Sequence, residues 1–104
     1  MTGIVTIYAT FPSAEEAQRI ARTMVEERLA ACANVLAGCR SIYRWEGAVE
    51  EAEEVAALFK TRAEQAQHLI ARIAALHSYE VPAITVWPIG DALPAYAEWV
   101  KAES

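Results

Sequence analysis

Ala48-Val49-Glu50-Glu51-Ala52-Glu53-Glu54-Val55-Ala56-Ala57-Leu58-Phe59-Lys60-Thr61 decides the fold, because it supports two incompatible readings. As helix, Val49, Ala52, Val55, Ala56 and Phe59 fall at helical spacing among glutamates and alanines, and the segment would run on to His77. As strand, Val49, Val55, Ala57 and Phe59 share one face of a period-2 pattern. Propensity alone leans to the helix. Thr61 followed by Glu64 turns the reading, since a capping box has no purpose in mid-helix. The preceding residues 33–45 (ANVLAGCRSIYRW) add to it: helical periodicity is lost there, and Ile42, Tyr43 and Trp45 favour extended chain. That strand runs into a turn at Glu46-Gly47 and needs a partner beyond it, so a long hairpin is expected.

Working outward, residues 4–10 (IVTIYAT) suit a short, mostly buried strand. Ser13 with Glu16 three residues on fits a capping box, and Ala17, Ile20, Ala21, Met24, Val25 and Leu29 form the apolar stripe of the helix that follows. After Thr61, a second stripe (Ala66, Leu69, Ile70, Ile73 and Leu76) ends at Tyr79-Glu80-Val81-Pro82, because the residue before proline avoids the α region. Residues 83–89 (AITVWPI) read as a strand in which Pro88 implies an edge or an end. Asp91 is placed to cap a terminal helix carrying Leu93, Tyr96, Trp99 and Val100. The order β-α-β-β-α-β-α indicates an α+β protein, a ferredoxin-like split βαβ plait with helices packed on one face of an antiparallel sheet.

The 104 residues, 11.4 kDa, are read as one domain, residues 1–104. Mass scaling predicts about 5,800 Å² of surface for the folded chain. That core is thin and rich in alanine, and subunit association would add to it. A net charge of −5 and a pI near 5.0 disfavour sequence-independent nucleic-acid binding. No apolar run approaches a membrane span, and Met1-Thr2-Gly3 lacks the basic start of a secretory leader, so a cytoplasmic location is expected. The four glycines have no phosphate-loop spacing, which leaves nucleotide cofactors without a motif. Cys32 and Cys39, seven residues apart, would lie roughly 23 Å apart on opposite faces of a regular strand. They are expected to be reduced thiols.

His77-Ser78-Tyr79-Glu80 is the densest group of functional side chains. An imidazole there suits metal ligation or proton transfer, and equally a histidine at the rim of an apolar face, favourable to the helix dipole. The run Glu50, Glu51, Glu53, Glu54 offers hard oxygen donors, but its plainer role is a solvated arm kept from edge pairing by charge. Glu54 alone shares the face of Lys60 and so is placed to point into a pocket or to pair at the surface. Trp45, Trp87 and Trp99 read as core or interface anchors, and His68 as solvated.

Four stretches together resemble the CutA divalent-cation-tolerance family: Leu29-Ala30-Ala31-Cys32-Ala33-Asn34-Val35, Ser41-Ile42-Tyr43-Arg44-Trp45-Glu46-Gly47, Phe59-Lys60-Thr61 and Leu76-His77-Ser78-Tyr79-Glu80-Val81-Pro82. They stand in the family's order and spacing, over residues 4–102. The resemblance implies a homotrimer similar to the P-II signalling proteins, with Trp45 and Tyr43 at interfaces. It also implies divalent-cation tolerance, with copper(II) the leading ion and His77 and Cys32 the candidate ligands. Some members carry a cysteine where this chain has Ala9, and a second histidine where it has Leu76. The preferred expectation is a non-enzymatic trimeric binding protein. Its intersubunit cleft, lined by Cys32, Trp45, Glu54, Lys60, His77 and Tyr79, would receive a metal or a small anionic ligand. The alternative is a small enzyme using His77 as general acid or base and Lys60 as anion clamp.

Overall fold

The computed structural model describes residues 1–104. Strand β1 (Ile4–Phe11) leads to helix α1 (Ala14–Glu26), then β2 (Cys32–Trp45) and β3 (Ala48–Arg62) form the long hairpin. A 3-10 turn (Ala63–Gln65) opens α2 (Ala66–Leu76), followed by β4 (Ile84–Pro88) and α3 (Pro94–Glu103). The four strands lie in the order β2-β3-β1-β4 and every pairing is antiparallel, the ferredoxin-like topology. The segment 48–61 is strand. The hairpin arm extends the molecule to 44 × 25 × 23 Å, and its surface of 6198 Å² exceeds the value expected of about 5,800 Å² for this mass.

Strand alternation divides the sheet into two faces. Val5, Ile7, Ala9 and Phe11 of β1, with Val55, Ala57 and Phe59 of β3, point to one side and meet Ala17, Ile20 and Met24 of α1 and Leu69 and Ile73 of α2. Burying these apolar side chains, most of them fully, is what holds the helices on the sheet. The third helix departs from the expectation of helices on one face. Val100 and Ala97 of α3 pack on Ile4 and Ala31, and Ile4 alternates with Val5, so α3 covers one end of the opposite face.

Three local expectations are corrected. Thr61 is no helix cap: it lies within β3, one residue before its end and fully buried, and its Oγ1 donates to the Leu29 carbonyl at 2.7 Å. The helix begins later, after the 3-10 turn, with no side-chain cap. Asp91 caps nothing either, since α3 starts with Pro94 in its first turn after Leu93, where the missing N–H costs nothing. Helix α1 stops at Glu26, short of Leu29, because Arg28 adopts a left-handed backbone (φ 59°).

The hairpin carries two backbone devices. Glu46 (φ 49°) and Gly47 (φ 83°) both lie in the left-handed region, the signature of a type I′ turn whose twist matches the strands it joins. Between Leu36 and Cys39, which pair with Ala56 and Glu54, β2 holds one residue more than β3, a bulge with Gly38 at φ 82°. The extra residue changes the alternation. Cys32 and Cys39 pair with Lys60 and Glu54, positions of equal phase on β3, so both thiols lie on one face and not on opposite ones. Both are free and half-buried.

Candidate functional site

The face not covered by α1 and α2 forms a cleft of about 680 Å³ between the hairpin arm and the segment after α2. Ser41, Tyr43 and Trp45 pair with Ala52, Glu50 and Ala48, and so share the face of Glu54 and Glu50. Tyr8 and Thr10 of β1 form its inner side, and Ser78, Tyr79 and Glu80 close the other.

Glu54 is the chemical centre of this cleft. It is buried to 9% exposure, and its carboxylate accepts hydrogen bonds from Ser41 Oγ and, at 2.7 Å, from Tyr79 Oη. No lysine or arginine lines the cleft, whereas Glu50 and Glu80 join Glu54 there. A buried carboxylate held by neutral hydroxyls alone lacks a counter-charge, and a cation is the partner that supplies one. Partial burial, followed by the Glu54 bond, pushes the Tyr79 phenol up to about 12. Tyr8 is also raised, first by burial and then by Cys39 and Glu54. Both phenols are therefore neutral donors at ordinary pH.

His77 lies behind this wall. It is the C-cap of α2, its own N–H donating to the Ile73 carbonyl at 2.9 Å, and its extended backbone (φ −70°, ψ 144°) turns the chain toward the cleft. The ring is stacked on Phe11 at 4.8 Å between centroids, with no side-chain exposure. Its Nε2 is 2.8 Å from the Thr10 carbonyl, and the Tyr79 N–H donates to its Nδ1 at 3.0 Å. A carbonyl only accepts and an amide N–H only donates, so the ring is the neutral tautomer protonated on Nε2. Neither nitrogen has a free lone pair. Glu16, expected to complete a reciprocal capping box, takes half of that part: Ser13 Oγ accepts from the Glu16 N–H at 3.2 Å, but the carboxylate turns to the Ser78 N–H at 2.9 Å. Burial alone would raise the Glu16 carboxyl; the Ser78 bonds, with His77 and Arg19 nearby, outweigh it and hold it below its ordinary value.

Of the residues the sequence singled out, the cleft unites Trp45, Glu54 and Tyr79. His77 supports Tyr79 from beneath. Lys60 is elsewhere: it pairs with Thr6 and donates to Asn34 Oδ1 at 2.6 Å, whereas His77 bonds Thr10, four residues or about 13 Å further along β1. Cys32 stands beside Lys60, its Sγ 3.4 Å from Tyr96 Oη, and burial followed by this contact pushes the Tyr96 phenol up to about 12. Within one subunit His77 and Cys32 thus do not converge, nor do His77 and Lys60, and no three His, Cys, Asp or Glu side chains come together as a metal-holding set. Sequence reasoning passed over Ser41, Tyr8 and Thr10. Ser41 reveals itself as the partner of Glu54 only once the hairpin register fixes which side chains share a face.

The model of the family described as CutA1 divalent ion tolerance protein matches residues 5–103. The divalent-cation tolerance protein CutA of Thermus thermophilus is 44% identical over 95 residues, covering 91% of this chain and 92% of that protein. The crystal structure of CutA from Xylella fastidiosa superposes with a TM-score of 0.95 at 38% identity, covering 97% of each chain. A structure from Archaeoglobus fulgidus, described as that of a periplasmic divalent cation tolerance protein, gives 0.93 at 39% identity, covering 96% of this chain and 97% of the other.

Proposed function

We propose, because this chain belongs to the CutA1 divalent ion tolerance protein family, that it is a non-enzymatic cation-binding protein that acts in the response to divalent metal ions as a homotrimer. The observation that carries the cationic part is Glu54, a buried carboxylate with hydroxyl partners but no positive neighbour, at the centre of a cleft with two further carboxylates. That charge pattern favours a cation over the small anionic ligand also considered, and Lys60 is too far along the sheet to reverse it. The non-enzymatic part is supported by the engaged nitrogens of His77 and, within one subunit, by their distance from Lys60.

Copper(II) is the leading ion, because oxygen and nitrogen donor sites bind it more tightly than the other divalent first-row metals. One subunit offers no three-donor set, and His77 or Cys32 would join a metal only by giving up its present contacts. Metal retention is therefore a property of the assembly. Trimerisation is supported by the hairpin arm, where Ile42, Tyr43, Trp45 and Val49 stand exposed around a core with little apolar area to spare. No helix is long and apolar enough to cross a membrane. A cytoplasmic location is part of the proposal, and cell fractionation tests it against the periplasmic one given for the Archaeoglobus protein.

Native mass spectrometry of the metal-free protein, with and without a slight excess of Cu²⁺, tests assembly and binding together. A species of roughly 34 kDa that keeps Cu²⁺ in preference to Mn²⁺ is expected. A bare trimer would make the part played by metal indirect. A monomer would overturn the assembly.

A further inference from the structure

Two arginines of α1 stand side by side without a partner. Of the nine Lys and Arg residues, Arg28, Arg40, Arg72 and Lys101 pair with carboxylates, Lys60 donates to Asn34 and Arg62 to the Ser104 carbonyl. Arg19, Arg22 and Arg44 make no such bond, and the first two line one groove of about 440 Å³ between α1 and β2, with Glu15, Gln18, Ala21 and Val35. Positions 15, 18, 19 and 22 recur at helical spacing and form a single stripe along α1. Val35 pairs with Ala57, a core residue, so it points to the helix side of the sheet as the apolar wall, and buried Ala21 is the floor. The groove thus lies in the layer of α1, away from the open face. It is roughly 20 Å along β2 from Ile42, the nearest of the exposed apolar residues given to the trimer contact.

Two guanidiniums three residues apart on a helix repel each other unless an anion joins them. The chain has a net charge of −5 and still supplies them no carboxylate: Glu15 lines the groove without pairing, and Glu16 is committed to Ser78. Each guanidinium offers a planar fork of donors to the oxygens of an anion. A phosphate monoester, with three free oxygens and about −1.5 to −2 charges, can satisfy two forks at once, whereas a monocarboxylate satisfies one. Gln18 adds a neutral donor, and Ala21 and Val35 offer apolar surface to the organic part of such a molecule. We propose that the groove between α1 and β2 binds a small phosphomonoester, its phosphate held by Arg19 and Arg22 and its apolar part against Val35. This is independent of the cationic reading of the open face, because the two sites share no residue.

The test is titration of the intact, nitrogen-15-labelled protein with phenyl phosphate, followed through backbone and arginine side-chain N–H signals in proton–nitrogen correlation spectra. Benzoate and phenol serve as the carboxylate and neutral counterparts. Saturable shifts confined to α1 and the surroundings of Val35 are expected, with benzoate at least about 5-fold weaker and phenol without effect. Arg19→Gln and Arg22→Gln should each weaken phenyl phosphate binding about 5-fold or more, and added salt should weaken it in the unaltered protein. Glu15→Gln removes the carboxylate from the groove and should strengthen binding about 2-fold. Lys101→Gln, which removes the same unit of charge from α3, should leave the affinity unchanged. All four side chains are exposed, and the same spectra verify that the variants keep the fold. Absence of saturable shifts, equal binding of benzoate, or an equal loss in Lys101→Gln would overturn the inference. Unchanged affinity in both arginine variants would do the same.

Discussion

Tyr79 Oη donates a 2.7 Å hydrogen bond to Glu54 Oε2, joining the segment after α2 to β3 across the cleft. The contact is a hinge point for both function and stability, because it fixes the only buried carboxylate of the sheet's open face to a residue whose backbone is itself held by His77. Tyr79→Phe removes one of the two donors to Glu54 and should destabilise the protein by about 1 kcal/mol, below the roughly 1.5–3 kcal/mol of a buried hydrogen bond to a charged group because the tyrosine is partly exposed. The phenol is raised from 10.0 to about 12 in the folded state. Its contribution is therefore complete below pH 10 and is lost as pH climbs from 10 toward 12. A tyrosinate absorbance titration should show Tyr79 and Tyr96 as the latest phenols, with Tyr8 also raised, and the variant should lack one of the latest. If the variant lacks an ordinary phenol instead and both of the latest remain, the assigned bond is contradicted.

His77 is a structural histidine in the isolated chain, and its replacement separates that role from metal ligation. His77→Ala deletes the contacts to Thr10 and Tyr79 and the stacking on Phe11 from a position without exposure. About 2–4 kcal/mol of stability should go with them. In His77→Gln, folded at moderate temperature, Cu²⁺ retention per trimer should stay at the wild-type level. Loss of copper with unaltered thermal stability would reverse the assignment and make His77 a ligand.

Glu16 sets the acid limit of the same region. Its folded-state carboxyl titrates below the ordinary 4.5, so the Ser78 bonds stabilise the protein above that value and are lost as pH falls through the lower, folded one. Glu16→Gln keeps an acceptor for the Ser78 N–H and should cost about 1–2 kcal/mol near neutrality. It should also flatten the fall in stability below about pH 4.5. Denaturant unfolding at several pH values for both proteins gives the two slopes, and parallel slopes would exclude Glu16 as the source.

The strand-or-helix question at 48–61 was resolved correctly from the sequence, partly through a contact that does not exist. The need of β2 for a partner was sound: β2 and β3 pair along almost their whole length. The Thr61–Glu64 cap was not, because Thr61 spends its hydroxyl on the Leu29 carbonyl, a partner 32 residues away that no local pattern announces. Glu16 failed the same way, diverted from a local cap to Ser78. Local patterns located the elements because periodicity is a property of one segment. The cleft was legible only in part, since Trp45, Glu54 and Tyr79 stood out as residue types, while their separation from Lys60 and Cys32 depends on register. For Cys32 that register hinges on the one extra residue of the bulge.

That residue supplies the last prediction. The bulge at Gly38 places two residues of β2 (Ala37 and Gly38) against one of β3 (Val55), so removing one residue there restores a regular ladder without changing which face Ser41, Tyr43 and Trp45 present to Glu54. Deletion of Gly38 should therefore give a folded protein with tryptophan emission unchanged and cation binding at Glu54 retained. Gly38→Val keeps the extra residue but forces a β-branched side chain to φ 82°, and since a Cβ there meets nothing within 4 Å, the whole cost is backbone strain. That cost should be about 1–2 kcal/mol, so the substitution destabilises more than the deletion. The comparison is made by urea unfolding and tryptophan fluorescence of the two variants. If the deletion shifts tryptophan emission and abolishes binding while Gly38→Val is neutral, the bulge does more than absorb a residue: its added twist would then be what aims the hairpin arm over the cleft.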